Sequence, residues 1–139
     1  MKNNTKQLKL KIVSVLDSDF LYQLLNERPQ YVNISHKKMP TKKQHMKFIT
    51  SKPYSKWYII LMDNIKIGSI YLSKQNEIGL YIKQNWAWKG LESLVLKQLI
   101  MKNFRPRYLI NTNPENKKLI SLLKKHKFKL LQQTYELRE

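Results

Sequence analysis

One stretch of the chain combines the residue types that could bind an anion, at a point where a strand is expected to lead into a helix. Residues 78–82, IGLYI, are apolar and predict a short buried strand, and the polar and aromatic turn KQNWAWK follows over 83–89. A helix is expected from Gly90 onward. The first backbone amides of a helix lack partners within it and lie at the positive end of its dipole, so this turn could bind a phosphate group. An ordinary strand-to-helix connection would explain the same residues. Four apolar residues define the expected buried face of this helix: Leu91, Leu94, Val95 and Leu99.

The composition is strongly basic and lacks cysteine. The 139 residues include 27 Lys and Arg against nine Asp and Glu, which gives a formal net charge of +18. Such a charge suits a polyanionic partner, for example nucleic acid, a membrane surface or an acidic substrate. Codon usage in an AT-rich genome would produce the same excess of Lys together with Asn and Ile. The absence of cysteine excludes a disulfide framework, a thiolate nucleophile and a cysteine-based metal site.

No targeting or membrane-spanning segment is expected from the sequence. The start, MKNNTKQLKLKIV, is positively charged but has no apolar stretch of signal-peptide length, and no later run approaches a membrane span. We therefore expect a cytoplasmic protein with one domain over residues 1–139. Its three histidines, His36, His45 and His126, are scattered and lack a paired carboxylate motif, so no metal site is expected.

Apolar spacing predicts an α/β protein of the α+β kind, with a mixed, mostly antiparallel central sheet flanked by helices. A strand over 8–15 precedes a helix that Pro29 ends, an ordered loop reaches Pro40, and Thr41 caps a second helix ending near Thr50. Strands over 57–62, 65–72 and 78–82 then form a meander, with a turn at 63–64. After the helix from Gly90, the pattern predicts a strand over 108–113, a helix over 114–126 and a final strand over 130–137.

The wording of residues 78–91 resembles the central motif of the GCN5-related N-acetyltransferases, the GNAT superfamily. In that motif I-G-Y-W-I, a polar turn and an aromatic residue precede Q/R-x-x-G-x-G/A. The chain departs from it at Ala87, Trp88 and Glu92, so that only Gly90 remains of the glycine signature. The matching positions are Ile78, Gly79, Tyr81, Ile82, Trp86, Lys89, Gly90 and Leu91.

A second stretch, residues 116–128, resembles the GNAT ending N-x-x-A/S-x-x-x-Y-x-K-x-G-F in its spacing. Asn116, Lys125 and Phe128 match that pattern. Leu119, Leu123 and Lys127 replace the small residue, the Tyr and the Gly. Many members of the superfamily use that Tyr as the general acid toward the leaving thiolate, so the resemblance assigns no acid in this chain. An amphipathic packing helix with a solvated Lys face would explain the same residues.

The GNAT resemblance implies the order of elements given above and acetyl-CoA as the co-substrate. In that fold the pantetheine arm pairs with the backbone of the central strand, here with Tyr81, Ile82 and Lys83. The amides of residues 88–92 would face the pyrophosphate, and Asn116 would also contact the coenzyme. Within the pyrophosphate loop, the implied binding residues are Trp88, Lys89, Gly90 and Leu91.

The resemblance also implies transfer of an acetyl group to a primary amine, which must lose its proton to react. Glu77 is the first candidate base, because several GNAT members carry a carboxylate at the start of this strand. His36 is the second, because its side chain titrates near neutrality and its loop would flank the acceptor cleft. The sequence of residues 33–60 and 68–82 is similar to GNAT proteins of amino-sugar pathways, which implies an amino sugar or sugar nucleotide as acceptor. Aromatic residues that could stack on such an acceptor, or equally lie in the core, are Tyr31, Tyr54 and Trp57.

A non-catalytic GNAT-like module that binds RNA or another polyanion is the alternative. The replaced residues Glu92, Leu123 and Lys127 and the basic charge motivate it, although no known RNA-binding motif is present. An open cleft beside Tyr81 and Gly90 would favour the enzyme. Membrane association through a basic amphipathic helix is a weaker match. In either case a monomer or a homodimer is expected.

Overall fold

The computed structural model describes residues 7–29 and 39–139. Within those ranges the predicted order of elements is present as far as the fourth strand and the helices that follow it. The elements are β1 (Leu8–Ile12), a 3-10 turn (Val15–Asp17), α1 (Ser18–Glu27), α2 (Lys42–Thr50), β2 (Lys56–Met62), β3 (Ile65–Leu72), β4 (Ile78–Ile82), α3 (Leu91–Lys102) and α4 (Lys117–Lys125).

The four strands form one antiparallel sheet in the order β1-β2-β3-β4. The turn between β2 and β3 lies at Asp63 and Asn64, as predicted, and both residues have positive φ values of 48° and 68°. Two consecutive left-handed residues are what a tight two-residue hairpin requires, and Asp and Asn tolerate that conformation better than other non-glycine residues. The meander therefore follows from local turn chemistry as well as from apolar patterning.

Helices cover the two faces of the sheet separately. On one face α3 packs its fully buried residues Val95, Leu96 and Leu99 against the main core. On the other face α1 and α2 pack Leu21 and Ile49 against the centre of β2. The expected inward residue Leu94 is instead 49% exposed, because the core-facing stripe of α3 runs through Leu96. Residues of the sheet that line the main core are Tyr58, Ile60, Met62, Ile67, Ile70, Leu72, Ile78 and Ile82.

A buried carboxylate fixes the connection between β1 and α1. The side chain of Asp17 is only 1% exposed, and its two oxygens lie 2.8 Å from Lys11 Nζ and 2.9 Å from Lys66 Nζ. It also accepts a hydrogen bond from the Ser14 amide, which completes a capping box with the Ser14 hydroxyl. Burial by itself raises the pKa of Asp17, but the two lysines and the Ser14 amide outweigh that effect and lower the pKa to about 2. The capping box also explains why β1 ends at Ile12, three residues before the predicted end.

Two predicted strands are wrong. In the stretch 108–113, Leu109 forms a single parallel bridge with Glu77 and no strand follows. Residues 130–137, all described, form no strand, and Leu130, Leu131, Tyr135 and Leu137 are 68% to 93% exposed. Apolar alternation alone does not make a strand, because the backbone also needs a partner to bond with.

The predicted loop from Pro29 to Pro40 falls largely on residues 30–38, which lie outside the described residues. His36 and Tyr31 are among them. Thr41, by contrast, caps α2 as predicted: its hydroxyl accepts from the Gln44 amide, and the Gln44 side chain accepts from the Thr41 amide. The last helix begins at Lys117 rather than at Pro114, because Asn116 caps it.

Candidate active site

A cleft of about 250 Å³ opens beside the outer edge of β4, between the turn that precedes α3 and the start of α4. Strand, turn and helix each contribute to it, so the cleft lies where the sequence predicted an anion site. The residues that line it are Pro29, Leu80, Tyr81, Ile82, Gln84, Ala87, Trp88, Glu92, Asn116, Lys118 and Leu119.

The backbone of β4 presents alternate residues to this cleft. The amide of Ile78 points away from β3, because it donates to the carbonyl of Leu109 at 2.7 Å. The amide of Lys83 points the opposite way and donates to the carbonyl of Ile67 on β3 at 2.8 Å. The N–H and C=O groups of successive residues point to opposite sides of a strand. Those of Leu80 and Ile82 therefore point away from β3 and face the cleft.

Of the three strand residues expected to pair with a pantetheine arm, Ile82 thus faces the cleft with its backbone. The backbone groups of Tyr81 and the amide of Lys83 face β3, whereas the Lys83 carbonyl accepts from the amides of Trp86 and Ala87 in the turn. Leu80 was not among the predicted residues, although strand alternation counted from a known edge would have indicated it.

The turn before α3 is held by left-handed residues and by one carboxylate. Trp88 and Gly90 have φ values of 61° and 91°, and Gly90 occupies the N-cap of α3, where no side chain caps the helix. The amide of Trp88 donates to Glu92 Oε2 at 2.8 Å, and Glu92 is buried with 4% exposure. The Glu92 carboxylate therefore already accepts the hydrogen bond of the Trp88 amide, which was expected to face a pyrophosphate.

The other residues of this turn keep backbone amides that a pyrophosphate could contact. Lys89 and Gly90 are exposed, and the Lys89 side chain folds back to donate to the Asn85 carbonyl at 3.0 Å. Leu91 is half-buried and packs against the main core. The amides of 89–91 lie before the first intrahelical bond of α3, where helix geometry leaves donors without an internal acceptor.

Asn116 is buried at the far wall of the cleft and caps α4. Its Oδ1 accepts from the Leu119 amide at 3.4 Å, and its own amide donates to the Asn113 carbonyl. These bonds account for Asn116 as a structural cap, while its place in the cleft lining keeps it within reach of a ligand. Lys118, on the same helix, adds a cation to that wall.

Glu77 lies on the sheet face opposite α3, at the start of β4. Its carboxylate accepts from Asn111 Nδ2 at 2.9 Å and from Ser73 Oγ at 3.3 Å, and it is half-buried. Strand alternation places Glu77, Gly79 and Tyr81 on one face. The second candidate base, His36, lies outside the described residues.

A cluster of aromatic side chains covers this face next to Glu77. The rings of Tyr54 and Tyr71 stack with 3.8 Å between centroids and a 5° angle between their planes. Gly79 makes room for them, because a Cβ there would overlap the Tyr71 ring. Trp57 packs edge-on against Tyr54 and is half-buried, so it lies at the border of the core rather than in the open.

Burial raises the pKa of both stacked tyrosines above the ordinary value for tyrosine. For Tyr71, the Arg28 guanidinium opposes that shift and the Glu77 carboxylate adds to it. Arg28 and Tyr71 were not among the predicted site residues. Their partners are separated from them by tens of residues in sequence, so no local pattern indicates the cluster.

The two described histidines have structural contacts. His45 is buried on α2, its ring lies 5.6 Å from that of Tyr22, and burial lowers its pKa. His126 Nε2 lies 2.7 Å from Ser93 Oγ and so links the end of α4 to the first turn of α3. In the described ranges no group of three or more His, Asp or Glu side chains comes together.

No protein-family model and no curated protein sequence matches the chain. Solved structures do match it. A domain from Methanocaldococcus jannaschii DSM 2661 is 22% identical with a TM-score of 0.76, over 95% of this chain and 94% of that one. An N-acetyltransferase from Staphylococcus aureus Mu50 is 17% identical with a TM-score of 0.72, over 88% and 84%. An aminoglycoside N-acetyltransferase in complex with CoA is 11% identical with a TM-score of 0.71, over 100% and 99%.

These similarities extend over nearly the whole of this chain and of each matched chain. The protein therefore has the fold of the GNAT acetyltransferases, which confirms the fold implied by residues 78–91 and 116–128. Among the helices of the described residues, none is both long and apolar enough to cross a membrane.

Proposed function

We propose that the protein is an N-acetyltransferase that moves an acetyl group from acetyl-CoA to a primary amine. The observation that carries the proposal is the cleft beside β4, which joins the strand edge at Leu80 and Ile82 to the amino end of a helix. A pantetheine arm needs amide hydrogen-bonding partners along its length, and a diphosphate needs backbone donors at its end. The GNAT neighbours, one of them in complex with CoA, support the same assignment.

In this proposal the backbone of Leu80 and Ile82 binds the arm, and the amides of residues 89–91 receive the pyrophosphate. Asn116 and Lys118 form the opposite wall of the cleft. Glu92 must then turn away from Trp88 or remain as a negative charge close to the pyrophosphate. Breaking the bond to Trp88 and keeping a nearby negative charge both cost free energy, so Glu92 lowers the affinity for the coenzyme in either case.

The chemical step needs a base for the amine and a proton for the sulfur. The amine nitrogen attacks the thioester carbonyl carbon, the carbon–sulfur bond breaks, and the proton lost by nitrogen passes to Glu77 directly or through water. Leu123, at the position where many GNAT proteins carry Tyr, is buried and has no proton to give. Water in the open cleft protonates the departing thiolate instead.

For the acceptor we propose an amino sugar or sugar nucleotide. The stacked rings of Tyr54 and Tyr71 offer an aromatic surface close to Glu77, against which the apolar face of a sugar ring can pack. The non-catalytic, polyanion-binding alternative gains less support, because the cleft beside Tyr81 is open rather than filled by Trp86 or Trp88.

The deciding experiment is a calorimetric titration with acetyl-CoA in moderate salt, with ATP as an equally charged control. We expect saturable, micromolar binding of acetyl-CoA that exceeds the response to ATP. Binding that merely follows phosphate charge and disappears with salt would contradict the proposal, because a basic surface alone would explain it. Release of free thiol with a panel of amines then identifies acceptors.

A further inference from the structure

Arg28, at the end of α1, has a guanidinium group with no acidic partner among the described residues. Its Cζ lies 5.4 Å from the ring centroid of Tyr81, and its Nε is buried without a hydrogen-bond acceptor. Within residues 7–29 and 39–139, no carboxylate lies within 4.0 Å of it, whereas the buried Asp17 has two lysines. Burial accordingly lowers the pKa of Arg28 from its usual value.

A cation in this position is costly for the folded protein. Removing a guanidinium from water without supplying a carboxylate is unfavourable, and a face contact with Tyr81 offsets only part of that cost. Arginine presents a planar set of N–H donors that can form bidentate hydrogen bonds with carboxylate and phosphate groups. An anionic ligand would satisfy the buried Nε, which no described residue does.

Arg28 also lies beside the proposed reaction site. Tyr81, under its guanidinium, lines the cleft, and so does Pro29, the next residue along the chain. Tyr71 connects the cation to the candidate base, because the charges of Arg28 and Glu77 both act on its hydroxyl. Glu77 and Tyr81 are four residues apart on one strand face, with roughly 13 Å between their Cα atoms. Side chains that reach inward from both ends leave a shorter gap, which a phosphorylated sugar amine can bridge.

We propose that Arg28 binds a compact oxyanion, a carboxylate or a phosphate, carried by the amine acceptor. This inference rests on the proposed function, because Glu77 is where the amine would lose its proton. The stacked pair of Tyr54 and Tyr71 supports the carbon skeleton between the two ends. The acceptor class is therefore an anionic amine whose charge lies several bonds from the nitrogen, for example a hexosamine phosphate, rather than a polyamine.

Paired ligands that differ only in the oxyanion test the proposal. Glucosamine 6-phosphate is compared with glucosamine, and 6-aminohexanoate with its amide, by calorimetry on the CoA-saturated protein. Inorganic phosphate and acetate are titrated into the protein alone. We expect the anionic member of one pair to bind at least tenfold more tightly than its twin, and the pair that responds identifies phosphate or carboxylate.

Variants then separate a specific site from the general positive charge. Arg28→Gln should abolish the preference for the anionic twin, while Arg107→Gln, which removes the same charge from an exposed residue, should preserve it. Arg28→Lys keeps the charge but loses the planar donor set and should give an intermediate affinity. Thermal unfolding of each variant checks folding, and Arg28→Lys carries the test if Arg28→Gln fails to fold.

Three outcomes would overturn the assignment of Arg28: equal affinity for both members of both pairs, equal losses in the Arg28 and Arg107 variants, or no binding of any anionic probe. The titrations with phosphate and acetate need no coenzyme. Failure of acetyl-CoA to bind would therefore reject the proposed enzyme without deciding the oxyanion site, which those two titrations decide.

Discussion

The carboxylate of Glu92 accepts a hydrogen bond from the backbone amide of Trp88, with 2.8 Å between Oε2 and N. This hydrogen bond joins the turn before α3 to the first turn of the helix, and Glu92 is buried in the lining of the cleft. A carboxylate at this point satisfies a free amide at the positive end of the helix, as a bound phosphate would. The chain thus carries its own anion at the place where the proposed coenzyme would put one.

Replacing Glu92 with Ala should strengthen binding of CoA. The change frees the Trp88 amide and removes a negative charge from the proposed pyrophosphate site, and we expect about a tenfold lower dissociation constant. Calorimetry with CoA gives the value. Pantetheine, which lacks the pyrophosphate, serves as the matched ligand and should bind both proteins equally. Weaker CoA binding by Glu92→Ala would indicate that the carboxylate instead shapes the loop for its ligand.

Replacing Glu77 with Gln should slow acetyl transfer without weakening acetyl-CoA binding. An amide keeps the size and the contacts with Ser73 and Asn111 but accepts no proton, so kcat should fall by roughly 100-fold or more. Thiol release under saturating substrates measures kcat, and calorimetry measures acetyl-CoA affinity. Glu115→Gln, an exposed change, is the control. An unchanged kcat would remove Glu77 from the mechanism and return attention to His36.

Local sequence patterns predict those elements whose partners are close in the chain. The hairpin at Asp63 and Asn64, the cap at Thr41 and the helix after Gly90 all follow from neighbouring residues. The strands expected over 108–113 and 130–137 fail because pairing depends on which backbone edge is free, and no local pattern states that. The expected cytoplasmic location and one-domain organisation stay predictions.

The candidate site divides in the same way. The turn around Gly90 and the conflict posed by Glu92 are visible in the sequence, because all the residues lie within one strand-to-helix unit. Arg28 and Tyr71 are not visible, because the sheet brings them together from distant segments. The hydrogen bond from Trp88 to Glu92 lies between these cases: the spacing of four residues is local, but the left-handed backbone at Trp88 is not predictable from Trp.

Asp17 should make stability depend on pH in the acid range. Its folded-state pKa of about 2 lies below its unfolded value near 3.8, so its contribution is complete above the unfolded value and is lost as pH falls toward 2. Asp17→Asn should lower the free energy of unfolding by about 3 kcal/mol at pH 7, because it leaves Lys11 and Lys66 without their buried partner.

Urea unfolding at pH 7, 4 and 2.5 measures that contribution. The difference between the wild type and Asp17→Asn should be largest at pH 7 and shrink between pH 4 and 2.5. Asp19→Asn, at an exposed position in the first turn of α1, should differ from the wild type by less than about 1 kcal/mol throughout. A constant difference across the three pH values would mean that Asp17 acts through packing rather than through its charge.

The direction in which α3 presents its apolar residues can be tested with two leucines of the same helix. Leu96 is fully buried against the main core, whereas Leu94 is 49% exposed, although helical spacing from the sequence favoured Leu94. Leu96→Ala should cost about 2–5 kcal/mol, because it removes buried methyl groups and leaves a cavity. Leu94→Ala should cost less than about 1 kcal/mol, since it loses the same atoms from a half-solvated position. Urea unfolding of both variants gives the comparison, and equal losses would mean that α3 is rotated about its axis relative to the arrangement described, which would also move Glu92 out of the cleft.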